Sequence, residues 1–90
     1  MKKRMHVFVS GKVQNVNFRS TVKSLAEEHK VQGWVKNRGT DQVEAIFEGD
    51  DHAVQKLITF CHDGPELAEV EAIMIDEEQY TGEFSNFDVQ

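Results

Sequence analysis

The run Ser10-Gly11-Lys12-Val13-Gln14-Asn15-Val16-Asn17-Phe18-Arg19-Ser20 combines residue types that can hold a tetrahedral anion. It leads from the end of an apolar strand, through a short polar turn, into a segment with helical spacing. The first N–H groups of a helix lack internal partners and the helix dipole adds positive potential there, so main chain alone can hold much of a phosphate. Arg19, in the first helical turn, adds a planar fork of donors matched to phosphate oxygens. Gln14, Asn15, Val16, Asn17, Phe18 and Arg19 are therefore the candidate phosphate-binding stretch, with Gln14 read as a hydrogen-bonding brace of the loop.

Several elements must position that stretch. Met5 to Ser10 reads as a strand with Val7 and Val9 on one face and His6 and Phe8 on the other, ended by Gly11. Phe18, Val22, Leu25, Ala26 and His29 then fall on one helical stripe, with Asn17 as a candidate N-cap. Val31 to Lys36 alternates as a second strand, Asn37 to Asp41 supplies turn chemistry, and Gln42 to Glu48 alternates again, so this pair is expected as an antiparallel hairpin closed by Gly49 and Asp50. Val54, Leu57, Ile58 and Cys61 mark a second helix, opened by Asp50-Asp51 and ended before Gly64-Pro65. Leu67 to Ile75 returns to strand content, and Phe84 to Val89 suits a last short strand.

Composition narrows the classes of partner. A chain of 90 residues with 39% hydrophobic and 29% charged residues is that of one small globular domain, residues 1–90. The formal charge of -6 disfavours a general nucleic-acid or anionic-membrane binder, whose affinity comes from clustered Lys and Arg. Cys61 is the only cysteine, so no intrachain disulfide forms and a reducing cytoplasm is the expected compartment; it is read as a core residue, not a nucleophile. Few apolar residues follow the basic start, too few for a signal peptide or membrane span. His6, His29, His52 and His62 lack metal-ligand spacing, and the acidic residues Glu66, Glu69, Glu71, Asp76, Glu77 and Glu78 read as a solvated face. Trp34 reads as packing on the sheet.

The element order is strand, helix, strand, strand, helix, strand, with a terminal strand. Two strand-helix-strand units joined by a hairpin keep right-handed crossovers when both helices cover one face of an antiparallel sheet, which is the α+β, ferredoxin-like split arrangement. On this frame, Gly11 to Arg19, followed by Gly33-Trp34-Val35-Lys36-Asn37 and then Val43 and Gly49, closely resembles the two signature motifs of the acylphosphatase family. The resemblance implies a small, metal-free hydrolase that takes no cofactor and splits the carboxyl–phosphate bond of acyl phosphates to a carboxylate and inorganic phosphate. It also implies that Arg19 matches the phosphate-binding arginine and Asn37 the water-positioning asparagine, these two being the catalytic candidates. A cytoplasmic monomer acting on a small acyl phosphate, without nucleic-acid or membrane partners, is the expectation.

That chemistry suits these residue types. A carboxylate leaving group departs without a strong general acid, so the protein must place a water in line with phosphorus and stabilise charge on the equatorial oxygens. The Asn37 amide can orient a water without becoming charged. Two departures from the family pattern stand out: Asn15 and Asn17 replace glycines, and Thr40-Asp41-Gln42 precedes Val43 where Asp-Gly is common. Asn is the non-glycine residue that best tolerates the left-handed region, so Asn15 can keep the loop shape. The alternatives are a phosphate-binding module of the same fold that has lost turnover, and an RNA- or protein-interaction sheet. The latter lacks the aromatic pattern of RNA-recognition modules.

Overall fold

The computed structural model describes all 90 residues. Elements follow in the order β1 (Lys2–Lys12), α1 (Phe18–Glu28), β2 (Gln32–Arg38), β3 (Gln42–Asp50), α2 (Asp51–Asp63), β4 (Glu69–Glu78) and β5 (Phe87–Val89). The five strands form one sheet in the order β4-β1-β3-β2-β5. β1 pairs antiparallel with β3 and β4, and β2 antiparallel with β3, as the split arrangement requires. The terminal strand differs from the all-antiparallel expectation: β5 adds to β2 in parallel, with Phe87 opposite Gly33 and Val89 opposite Val35, so the sheet is mixed.

The apolar alternation explains which face is covered. Val7, Val9, Val35, Val43, Ala45 and Phe47 are buried beneath the helices, joined by Val22 and Ala26 of α1 and by Val54, Leu57, Ile58 and Cys61 of α2. Fully burying each large aliphatic or aromatic side chain contributes about 1.5–3 kcal/mol toward holding the helices on the sheet. Burial also pushes the Cys61 thiol up to about 12, which keeps it neutral and inert.

Strand ends depart from the periodicity: β1 begins at Lys2, before Met5, and β5 is confined to Phe87–Val89. β1 runs through Gly11 to Lys12, because a bulge between Ser10 and Gly11 lets β1 stay paired with β4. Asn37 and Arg38 belong to β2, opposite Val43 and Gln42, so the turn is confined to Gly39–Asp41. β4 begins at Glu69, two residues after Leu67, and continues to Glu78. Each shift is set by cross-strand partners, near in the chain for the β2–β3 hairpin and remote for β1 with β4.

The face of the sheet away from the helices is not simply solvated. Glu48 is 1% exposed and is bonded by Arg4 Nη1 at 3.2 Å and by the Thr81 amide and hydroxyl, each at 3.0 Å. Arg4 also reaches Glu78 at 2.8 Å and Glu83 at 2.6 Å. His6 lies between Glu78 and Glu44, at 2.9 and 2.7 Å. Glu78 is thus a network carboxylate, in contrast to the solvated reading, whereas Glu69, Glu71, Asp76 and Glu77 are exposed. Trp34 sits on this outer face, with Lys36 over its ring at 5.2 Å. No helix is long and apolar enough to cross a membrane.

Candidate active site

The loop from β1 to α1 is shaped by two left-handed asparagines. Asn15 has φ 62° and Asn17 φ 64°, the region in which glycine is otherwise favoured and Asn is the least strained substitute. The two departures from glycine therefore preserve a glycine-type backbone. Between and after them, Val16 and Phe18 turn inward, 5% and 2% exposed, with the Phe18 ring 5.8 Å from Phe60 of α2. Apolar anchors thus pin the loop from below while its main chain stays at the surface.

Asn17 occupies the N-cap position, but its side chain makes no capping hydrogen bond, in contrast to the role expected of it. Positive φ directs the side chain away from the helix amides. Instead the Asn17 carbonyl accepts from the Thr21 amide at 3.2 Å and from the Thr21 hydroxyl at 2.7 Å. No main-chain N–H from Asn15 to Arg19 donates to a main-chain carbonyl. A row of unpaired donors at a helix N-terminus is the arrangement that suits an anion.

Gln14 does what a brace should do. Its Nε2 donates to the carbonyls of Gln42 at 2.9 Å and Gly39 at 3.0 Å, so the loop is tied to the β2–β3 turn. Its side chain faces that turn, leaving Asn15, Asn17, Arg19 and Asn37 around one open groove of about 520 Å³. Arg19 Nη1 donates to the Gln90 carbonyl at 2.7 Å, which holds the guanidinium beside the C-terminal strand.

Asn37 reaches this groove from β2. Its Oδ1 is buried and accepts no hydrogen bond from any protein donor. Leaving such an acceptor unmet costs about 1–3 kcal/mol. The arrangement can therefore bind a tetrahedral anion on one side and set a side-chain amide across the groove from it. On the outer face, Glu44, opposite Lys36 in the register, is bonded by Arg38 at 3.5 Å as well as by His6. Sequence periodicity missed that network, because Glu44 and Glu48 occupy positions that alternation assigns to solvent. The signal was available in the opposite charges of Arg4 and Glu48, which face each other only once the strands pair.

Comparison with known proteins agrees with the geometry. A family model described as Acylphosphatase matches residues 5–89. The chain is 48% identical over 86 residues to an acylphosphatase of Roseiflexus sp. (strain RS-1), covering 96% of this chain and 92% of that one. It is 42% identical over 90 residues to an acylphosphatase of Geobacter sulfurreducens (strain ATCC 51573 / DSM 12127 / PCA), covering 100% and 99%. Among solved structures, an acylphosphatase from Coxiella burnetii superposes with a TM-score of 0.92 at 36% identity, over 99% of this chain and 93% of the other. The acylphosphatase from Bacillus subtilis gives 0.91 at 31% identity, over 100% and 99%.

Proposed function

Because the chain belongs to the acylphosphatase family of hydrolases, we propose that it cleaves the carboxyl–phosphate bond of an acyl phosphate by in-line attack of a water that Asn37 positions. The substrate phosphate sits against the unpaired amides from Asn15 to Arg19, and the Arg19 guanidinium forks onto two of its oxygens. These donors gain strength as charge builds on the equatorial oxygens, which lowers the barrier to phosphoryl transfer. The Asn37 side-chain amide holds the attacking water and fixes its approach to phosphorus. The leaving carboxylate is a weak base and departs unprotonated. No His lines the groove and its one carboxylate, Glu27, is paired with Lys23, so the phosphate itself takes the proton of the water as the new P–O bond forms.

The observation that carries this reading is that Asn37 of β2 and Arg19 of α1 line one groove together with Asn15 and Asn17 of the loop. The test is phosphate release from benzoyl phosphate, with Arg19→Ala and Asn37→Ala in parallel. Each substitution should lower kcat/KM by about 100-fold or more, the scale seen when one donor to a developing charge is removed. A wild-type rate no faster than buffer, or an Asn37→Ala rate equal to wild type, would sink it.

A further inference from the structure

The groove extends well past the phosphate cradle, along the exposed side of α1. Arg19, Lys23 and Glu27 stand four residues apart on that side, and all three line the groove. At 1.5 Å of rise per residue, Lys23 lies about 6 Å along the helix from Arg19. The first cation is used by the phosphate. The second is not used by the chemistry proposed above.

Lys23 is held rather than free. Its Nζ donates to the Phe87 carbonyl of β5 at 2.7 Å and lies 3.3 Å from Glu27 Oε2, with its side chain 39% exposed and that of Glu27 61% exposed. An ammonium has three donors, so the main-chain bond fixes its height while leaving capacity for another acceptor. The apolar members of the groove wall are Val13, Phe18 and Val89; the first two are almost wholly buried, which leaves Val89, 40% exposed, as the one apolar side chain open to a ligand. The rest of the wall along α1 carries Ser20 and Ser24. Such a surface offers little to an aromatic or alkyl arm and an ion-pair partner to a short anionic one.

We propose that Lys23 is a specificity-determining residue that selects acyl phosphates whose acyl arm ends in a second anionic group, such as the monoacyl phosphate of a short dicarboxylic acid. This rests on the acylphosphatase reading above, which supplies the phosphate end. Glu27 competes with the arm for the same ammonium, so the two side chains have opposite effects on selectivity. Because the ammonium is partly exposed, its contribution is a preference and not an absolute requirement.

The test compares succinyl phosphate with butyryl phosphate, which has the same number of carbons and no distal charge. In parallel, calorimetry measures binding of 3-carboxypropylphosphonate against butylphosphonate, two probes that cannot be hydrolysed. The carboxylated member of each pair should be favoured by about 3-fold to 5-fold in kcat/KM or Kd at low salt, the preference shrinking as salt screens it. Lys23→Gln should bring both ratios close to one, and Glu27→Gln should raise them. Turnover of both acyl phosphates with ratios near one, or ratios indifferent to Lys23→Gln, overturns the assignment. A clear phosphonate preference lost in Lys23→Gln, without turnover of either acyl phosphate, supports the Lys23 subsite and refutes the hydrolytic reading instead.

Discussion

The side-chain amide of Gln14 donates at 2.9 Å to the main-chain carbonyl of Gln42, joining the anion loop to the hairpin that carries Asn37. The two halves of the site come from different elements, and this bond sets their separation. Reaction geometry is sensitive to shifts of about 1 Å, which can cost about 100-fold in rate. Gln14→Leu, which keeps the bulk and removes the donor, should lower kcat for benzoyl phosphate by at least about 10-fold. Circular dichroism should retain the wild-type fold.

The left-handed asparagines carry a second prediction. At φ 62° and 64° a Cβ without a compensating polar group is strained by about 1–2 kcal/mol, while glycine is not. Asn15→Ala and Asn17→Ala should each lower unfolding free energy by about 1 kcal/mol in urea titrations. Asn15→Gly should match or exceed wild-type turnover, because it keeps the backbone and clears a side chain from the groove. A slower Asn15→Gly enzyme would give the asparagine side chain a role of its own.

Gly33 governs the strand that delivers Asn37. It has φ 137°, and a Cβ there would stand 1.9 Å from the Ile46 carbonyl oxygen of the adjacent strand. The clash is with backbone in the β2–β3 ladder and cannot be relieved by turning a side chain. Gly33→Ala should therefore destabilise by more than about 3 kcal/mol, read as a large drop in urea midpoint. Any folded fraction should also lose activity, since Asn37 lies four residues further along β2.

The outer-face network makes stability depend on pH. The hydrogen bond from Arg4, with help from His6, holds the Glu78 carboxyl below its ordinary value of 4.5, and Arg4 does the same to Glu83. A carboxyl depressed in the folded state favours folding above its unfolded pKa and loses that contribution as pH falls through the folded one. Wild-type Tm should accordingly fall as pH drops below about 4.5, and Glu78→Gln should show a shallower fall over the same range. Equal slopes for the two proteins would remove Glu78 from the acid transition. Both carboxylates are substantially exposed, so the effect should weaken at high salt.

The parts of this protein legible in its sequence are those decided over short stretches of chain. The stripes Phe18, Val22, Ala26 and Val54, Leu57, Ile58, Cys61 become the buried faces of α1 and α2, because helical spacing alone sets which side chains share a face. The strand–loop–helix run that carries Arg19 is likewise local, and its two asparagines suit the left-handed positions they occupy. Tertiary structure decided what depends on partners distant in sequence. The crossing of α1 and β2 brought Asn37 to the groove that Arg19 also lines. Pairing with β2 made β5 parallel and brought the carbonyls of Phe87 and Gln90 to Lys23 and Arg19. Burial of Glu48 beside Arg4 followed from strands meeting across 44 residues of sequence. Local spacing specifies faces and loop shape, but a hydrogen bond between remote segments exists only after the chain has closed, so only the folded protein reveals it.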